Sequence, residues 1–244
     1  MRSRNPFLGK NFQSQAGLIS DTGRMTVAGT INKVLLLGAL IIAGALVDVA
    51  VYLSNPGIAL GAGILAMIVA LGFSIAISFK PEWAPTAAPI YALVEGLALG
   101  ALSILFGAQS MGIVPGAIML TVTIFIVMFG CYKLGILRAT PRFVAVVSFA
   151  TMGIFLTYLI SFGLSFLGIR AGFLYSPSLL SIGLSLLFAG VAALNLIIDF
   201  DFIERGSQQG MPKYMEWYGA FALTVTLVWL YLEMLRLLSN LSRR

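Results

Sequence analysis

Ala193-Leu194-Asn195-Leu196-Ile197-Ile198-Asp199-Phe200-Asp201 closes the sixth of seven long apolar runs in this chain and sets two carboxylates at its end. The polar turn Glu204-Arg205-Gly206-Ser207-Gln208-Gln209-Gly210-Met211-Pro212-Lys213 follows, and Glu216 opens the seventh run. With that turn centred near Gln208, residues equally far from it lie opposite each other across a helical hairpin. Asp199 then faces Trp217, Asp201 faces Met215, and Glu216 falls between the two aspartates in depth. Antiparallel helices pack with axes about 8–10 Å apart, so inward-facing carboxyls come within hydrogen-bonding range. Carboxylates gathered in low dielectric do not all stay ionised, which makes Asp199 and Glu216 a candidate proton or cation site.

Each acid also has a plainer reading. The two aspartates are two residues apart and point to different faces of a helix. Asp199 shares its face with Asn195, whereas Asp201 has Arg205 one turn ahead and reads as half of an interfacial ion pair. Glu216 can pair with Lys213 at the surface. Against that stands the stripe Glu216, Gly219, Ala220, Thr224, whose small residues let helices approach closely. Glu95 lies eight residues into the third run, roughly 12 Å deep at 1.5 Å per residue. No Lys or Arg sits within a turn of it, and Gly96 and Gly100 make a contact face beside it. It can extend the site deeper into the membrane. Asp48 and Glu233 lie near the other ends of their runs and read as interfacial, Asp48 reaching water and Glu233 pairing with Arg236.

Hydrophobic residues make up 59% of the 244, and charged ones only 10%. No soluble domain of this length hides that much apolar surface, so the sequence describes an all-α integral membrane protein. The runs are Val34–Leu53, Ile58–Phe79, Ala87–Gly107, Ile113–Tyr132, Phe143–Leu167, Ser178–Phe200 and Trp217–Leu238. Runs of about 20 residues are spanning helices, not the ten-residue alternating strands of a barrel. Three segments result: a polar lead over 1–33, a seven-helix transmembrane domain over 34–238, and a short basic tail over 239–244. The lead has no apolar core of its own and does not look like a secretory signal.

Lys and Arg set the expected orientation. With the N-terminus in the cytoplasm, Arg2, Arg4, Lys10, Arg24, Lys33, Lys80, Lys133, Arg138, Arg142, Arg205 and Lys213 fall inside. Arg170, Arg236, Arg243 and Arg244 fall outside, a positive-inside bias. The net charge of +6 therefore reads as topology and lipid contact, not as nucleic-acid binding. The single Cys131 makes no intramolecular disulfide, and the absence of histidine removes imidazole switches, His-ligated zinc and His-dependent triads.

The third-span wording Glu95-Gly96-Leu97-Ala98-Leu99-Gly100, the acid closing the sixth span and the hairpin after it resemble the Bax-inhibitor/TMBIM superfamily. The stretches Asp199-Phe200-Asp201-Phe202-Ile203-Glu204-Arg205-Gly206 and Pro212-Lys213-Tyr214-Met215-Glu216-Trp217-Tyr218-Gly219 resemble its bacterial Bax-inhibitor-1-like branch. So does the opening Met1-Arg2-Ser3-Arg4-Asn5-Pro6-Phe7. The resemblance covers essentially the whole chain. It implies a seven-helix bundle of the Bax-inhibitor type in a bacterial inner membrane, leaking Ca²⁺ through a gate made by acids of the sixth and seventh spans. Asp199 matches the sixth-span acid. For the seventh, Leu230-Tyr231-Leu232-Glu233 matches by wording and Glu216 by depth, the two lying seventeen residues, about 25 Å, apart. Some relatives latch an acid with an arginine near the end of the second span, where this chain offers Lys80.

Two functions follow. The first is a passive, pH-sensitive cation (Ca²⁺) leak in which Asp199 and Glu216 hold a proton or the ion, supported by Glu95, Asp201, Asn195, Arg205 and Lys80. It needs no resident cofactor. The second is a non-enzymatic regulator that docks on other membrane proteins, such as a membrane protease, through the polar lead. Catalysis is the poorest fit, because no histidine and no G-x-G-D sequence is present.

Overall fold

A computed structural model of the chain describes residues 23–108, 110–166 and 178–243. They form seven helices: α1 (Val27–Ser54), α2 (Pro56–Phe79), α3 (Ala84–Gly107), α4 (Ile113–Lys133), α5 (Pro141–Phe166), α6 (Leu179–Gln208) and α7 (Met215–Ser242). All seven are long and apolar enough to cross a membrane. The end of the fifth run at Leu167, Arg170, Arg244 and the polar lead up to residue 22 lie outside the described residues.

Local chemistry sets the helix ends. Thr26 caps α1, its hydroxyl accepting from the Gly29 N–H at 3.0 Å. α1 therefore begins at Val27, and the last residues of the lead, including Lys33, are helical. Asn55 alone joins α1 to α2: it ends the first helix, then its side chain accepts from Ile58 N–H, with Pro56 in the first turn of α2. A single 3₁₀ turn, Pro81–Trp83, leads into α3.

The helices enclose α7. It packs against α6, α4, α1 and α3, while α2 lies outside on α3 and α1, and α5 lies outside on α6. Ala220, Leu230, Met234 and Leu235 of α7 are fully enclosed. Outward faces carry Leu35, Leu46, Ile64, Phe79, Phe149, Leu159 and Leu186, all exposed, which is the surface a lipid-solvated bundle presents. The most extensive contact is α1 against α3, where two glycines meet. A Cβ on Gly44 would stand 2.3 Å from the Leu93 carbonyl oxygen, and one on Gly96 would stand 2.3 Å from that of Ile41. Only bare backbone fits there, as the contact face beside Glu95 requires.

Lys33, Lys133, Arg205 and Lys213 come together at one end of the bundle, hereafter the basic end.

Candidate functional site

At the basic end Glu216 is fully enclosed, but by cations and not by carboxylates. Its Oε2 lies 2.5 Å from Lys33 Nζ and its Oε1 lies 2.8 Å from Lys213 Nζ. Thr26 donates to Oε1 twice, from its backbone N–H at 2.9 Å and from its hydroxyl at 2.8 Å. The carboxylate thus sits on the amino end of α1, where helix N–H groups favour a negative charge. It fits because position 29 is glycine: a Cβ there would stand 2.3 Å from Oε1. Backbone contacts complete the closure. Met25 N–H donates to the Met211 carbonyl at 2.7 Å, and Lys213 N–H donates to that of Gly23 at 2.9 Å. The stripe Glu216, Gly219, Ala220, Thr224 does face the interior, as its spacing predicts.

The Asp199–Glu216 pair does not form. The reason is the length of α6, which continues through Glu204 and Arg205 to Gln208. The midpoint of the connection to Met215 lies between Met211 and Pro212, not near Gln208. Asp199 is therefore level with Thr224 and Thr226, and the Thr226 hydroxyl lies beside its carboxyl. Glu216 is eight residues short of Thr224, which separates the two acids by roughly 12 Å along the bundle. Glu216 is held by Lys33 and Lys213 and is not brought together with Asp199 around a common point. Among the described residues no three acidic or sulfur side chains gather to hold a metal.

What remains at Asp199 is a carboxylate with one oxygen, Oδ2, buried and without a partner among the described residues. Asn195 does not help it. Its amide donates to Thr151 Oγ1 at 2.8 Å and to the Val191 carbonyl at 2.9 Å, tying α6 to α5. Glu95, half-buried at the middle of α3, has no hydrogen bond or ion pair within the described residues. Sequence spacing placed both acids inside the bundle, and both are there without a cation.

The remaining expected residues have structural partners. Arg205 Nε lies 2.8 Å from Asp201 Oδ2, the ion pair that their spacing predicts, and its Nη2 donates to the Ala139 carbonyl. Both line a cavity of about 410 Å³ at the basic end, with Tyr132, Arg138, Thr140 and Glu204. Tyr132 donates to Glu204 at 2.5 Å. Lys80 lies over the Trp83 ring, 4.6 Å from its centre, and latches no acid.

Two acids expected at the interface are enclosed. Glu233 is 1% exposed; it does pair with Arg236, at 3.1 Å, and it also accepts from Tyr158 at 2.5 Å and from Trp229 Nε1 at 3.1 Å. Arg236 in turn donates to Tyr158. Asp48, also 1% exposed, is covered by its neighbours, and neither of its carboxylate oxygens has a partner among the described residues. Counting residues from a helix end gives depth along the axis, but says nothing about neighbours that cover the side chain. Lys33 and Thr26 were missed for a different reason. They belong to a segment read as polar lead, although Thr26 ahead of Val27-Ala28-Gly29 is a capping signal.

A seven-helix bundle with enclosed, uncompensated acids defines a polytopic membrane protein built around its last helix. The model of the family described as Bax inhibitor 1 like matches residues 5–243, and the chain belongs to that family. No individual curated protein and no solved structure matches it significantly.

Proposed function

We propose that this protein is a passive, pH-sensitive cation leak with Ca²⁺ as its principal cargo, set by protonation of carboxylates within the bundle. The observation that supports it is Asp199. Its Oδ2 is sealed from solvent and meets no donor, in the middle portion of a membrane-spanning helix. A bare charge in that position is too costly to persist, so a proton or a cation accompanies it. Glu95 on α3 is the second station: the contacts of Tyr91 with Phe221 and of Ser103 with Tyr231 set it level with Thr224 of α7, the depth of Asp199. Protonated, these acids hydrogen-bond and pack; ionised, they admit water and a hard cation, which oxygen ligands suit. We take the basic end as cytoplasmic from the positive-inside rule, with the chain in a bacterial inner membrane.

Glu216 no longer serves as the gate in this reading. Its charge is already matched by Lys33 and Lys213, and no proton is needed to hold it.

Ca²⁺ uptake into proteoliposomes of the purified protein, from mildly acidic to mildly alkaline pH, tests the proposal beside Asp199→Asn and Glu95→Gln. Flux in the wild type should rise with pH, and Asp199→Asn should flatten that rise. Flux that keeps its pH dependence in both variants removes the carboxylate gate. Absence of flux at every pH removes the leak and favours a regulatory role exerted through membrane-protein partners.

A further inference from the structure

A third acid lies apart from Asp199 and from the Glu216 closure. Asp48 stands on α1 about 11 Å beyond the middle of that helix, away from the basic end. That is within the half-thickness, about 15 Å, of a bilayer's hydrocarbon. Its side chain enters the α1–α3 crossing one turn beyond Gly44. A Cβ on Gly100 would stand 2.7 Å from Asp48 Cβ and 2.9 Å from the Ala45 carbonyl oxygen. The helices close over the carboxyl there, and both of its oxygens are sealed without a hydrogen bond.

We propose that Asp48 is a proton-binding site built into the α1–α3 crossing, and that release of its proton loosens that crossing. The ligand is a proton and not a divalent cation, because Ca²⁺ needs about six to eight oxygens and this carboxyl brings two. Among the described residues no charged group pairs with Asp48. The titratable and charged groups on the helices packed against α1 have other places: Tyr91 and Glu95 on α3; Asp199, Glu204 and the Asp201–Arg205 pair on α6; and Glu216, Tyr218, Tyr231 and the Glu233–Arg236 pair on α7. α2 has none, and α1 itself adds only Tyr52 and the Lys33 already held by Glu216. Tyr231 is paired with Ser103 at 2.8 Å. A neutral carboxylic acid can stay in this crossing, whereas an ionised one must draw water between helices whose backbones touch.

Infrared spectroscopy of the protein in lipid nanodiscs, titrated from acidic to alkaline pH, reads this directly. The wild type should show a protonated-carboxyl C=O band that Asp48→Asn removes. Asp48→Glu, should the amide variant fail to fold, should shift that band. The folded protein holds a proton here that an unfolded chain at neutral pH releases, so wild-type thermal stability falls as pH rises. Asp48→Asn should lose much of that fall. A band unchanged in both variants overturns the assignment. Neither readout depends on ion flux, so a protein that leaks nothing leaves this inference standing.

Discussion

Lys33 Nζ and Glu216 Oε2 lie 2.5 Å apart although 183 residues separate them in the chain. The pair fastens the amino end of α1 to the first turn of α7, the helix at the centre of the bundle. Lys213 and Thr26 complete the shell, so the Glu216 carboxylate accepts from four donors, three at Oε1 and one at Oε2.

Removal of that carboxylate should therefore cost more than a surface ion pair. Glu216→Gln is expected to lose about 3 kcal/mol, the lower end for breaking a buried pair, because the freed lysines can still reach the interface. Lys33→Met should cost about 1 kcal/mol, since Lys213 and Thr26 still hold the acid. The double variant should cost clearly less than the sum. Thermal unfolding of all four proteins in detergent measures this, and strict additivity would show that the pair is not coupled.

Asp201 and Arg205 supply the contrast. Their 2.8 Å pair has an arginine side chain that is 59% exposed. Asp201→Asn should change stability by less than about 1 kcal/mol, and the effect should shrink further in high salt. A loss as large as that of Glu216→Gln would mean that the cavity it lines is a sealed part of the bundle.

The crossing of α1 and α3 makes a prediction with a built-in control. Gly96→Ala puts a methyl 2.3 Å from the Ile41 carbonyl oxygen and 2.9 Å from Gly44 Cα, all of it backbone that cannot swing away. Overpacking of this kind should cost about 1–3 kcal/mol or more and separate the helices. Gly72→Ala on α2 meets nothing within 4 Å and should be neutral or mildly stabilising, through helix propensity. Equal melting temperatures for the two variants would show that the glycine contact is not obligatory.

How far the sequence could be read follows from what terminates a helix. Apolar runs located all seven helices, because only length and hydropathy decide whether a segment spans. The spacing misplaces the hairpin, because Glu204 and Arg205 read as the start of a turn while α6 runs on to Gln208. Polar residues end a membrane run without ending a helix. Phe200, Ile203 and Gly206 continue to bury one face at helical spacing, and α6 stops only before Gly210, whose φ of +65° suits the turn, and Pro212. That misplacement sets Glu216 in register with Asp199, and the longer α6 takes it out. The Gly96–Gly100 face and the inward stripe through Glu216 were legible, since small residues at helical spacing leave few alternatives. Partners across the fold were not: nothing local in Lys33 or Tyr158 reports the acid that each one meets.

The cluster of Glu233, Arg236 and Tyr158 yields an asymmetric outcome for its two charges. Glu233 is 1% exposed, while the Arg236 side chain retains 17% and is long enough to reach toward the headgroups. Arg236→Met strands a buried carboxylate that has only Tyr158 and Trp229 as donors, and should cost about 3–5 kcal/mol. Glu233→Gln keeps an acceptor for the tyrosine and the indole and leaves an arginine that can snorkel, so about 1–2 kcal/mol is expected. Arg236→Met with Glu233→Gln should recover most of the loss of the arginine variant, because the stranded charge is gone. Thermal melts of the three variants decide it. Equal costs for the two single substitutions would mean that both charges are equally enclosed, and that the headgroup region lies beyond the reach of Arg236.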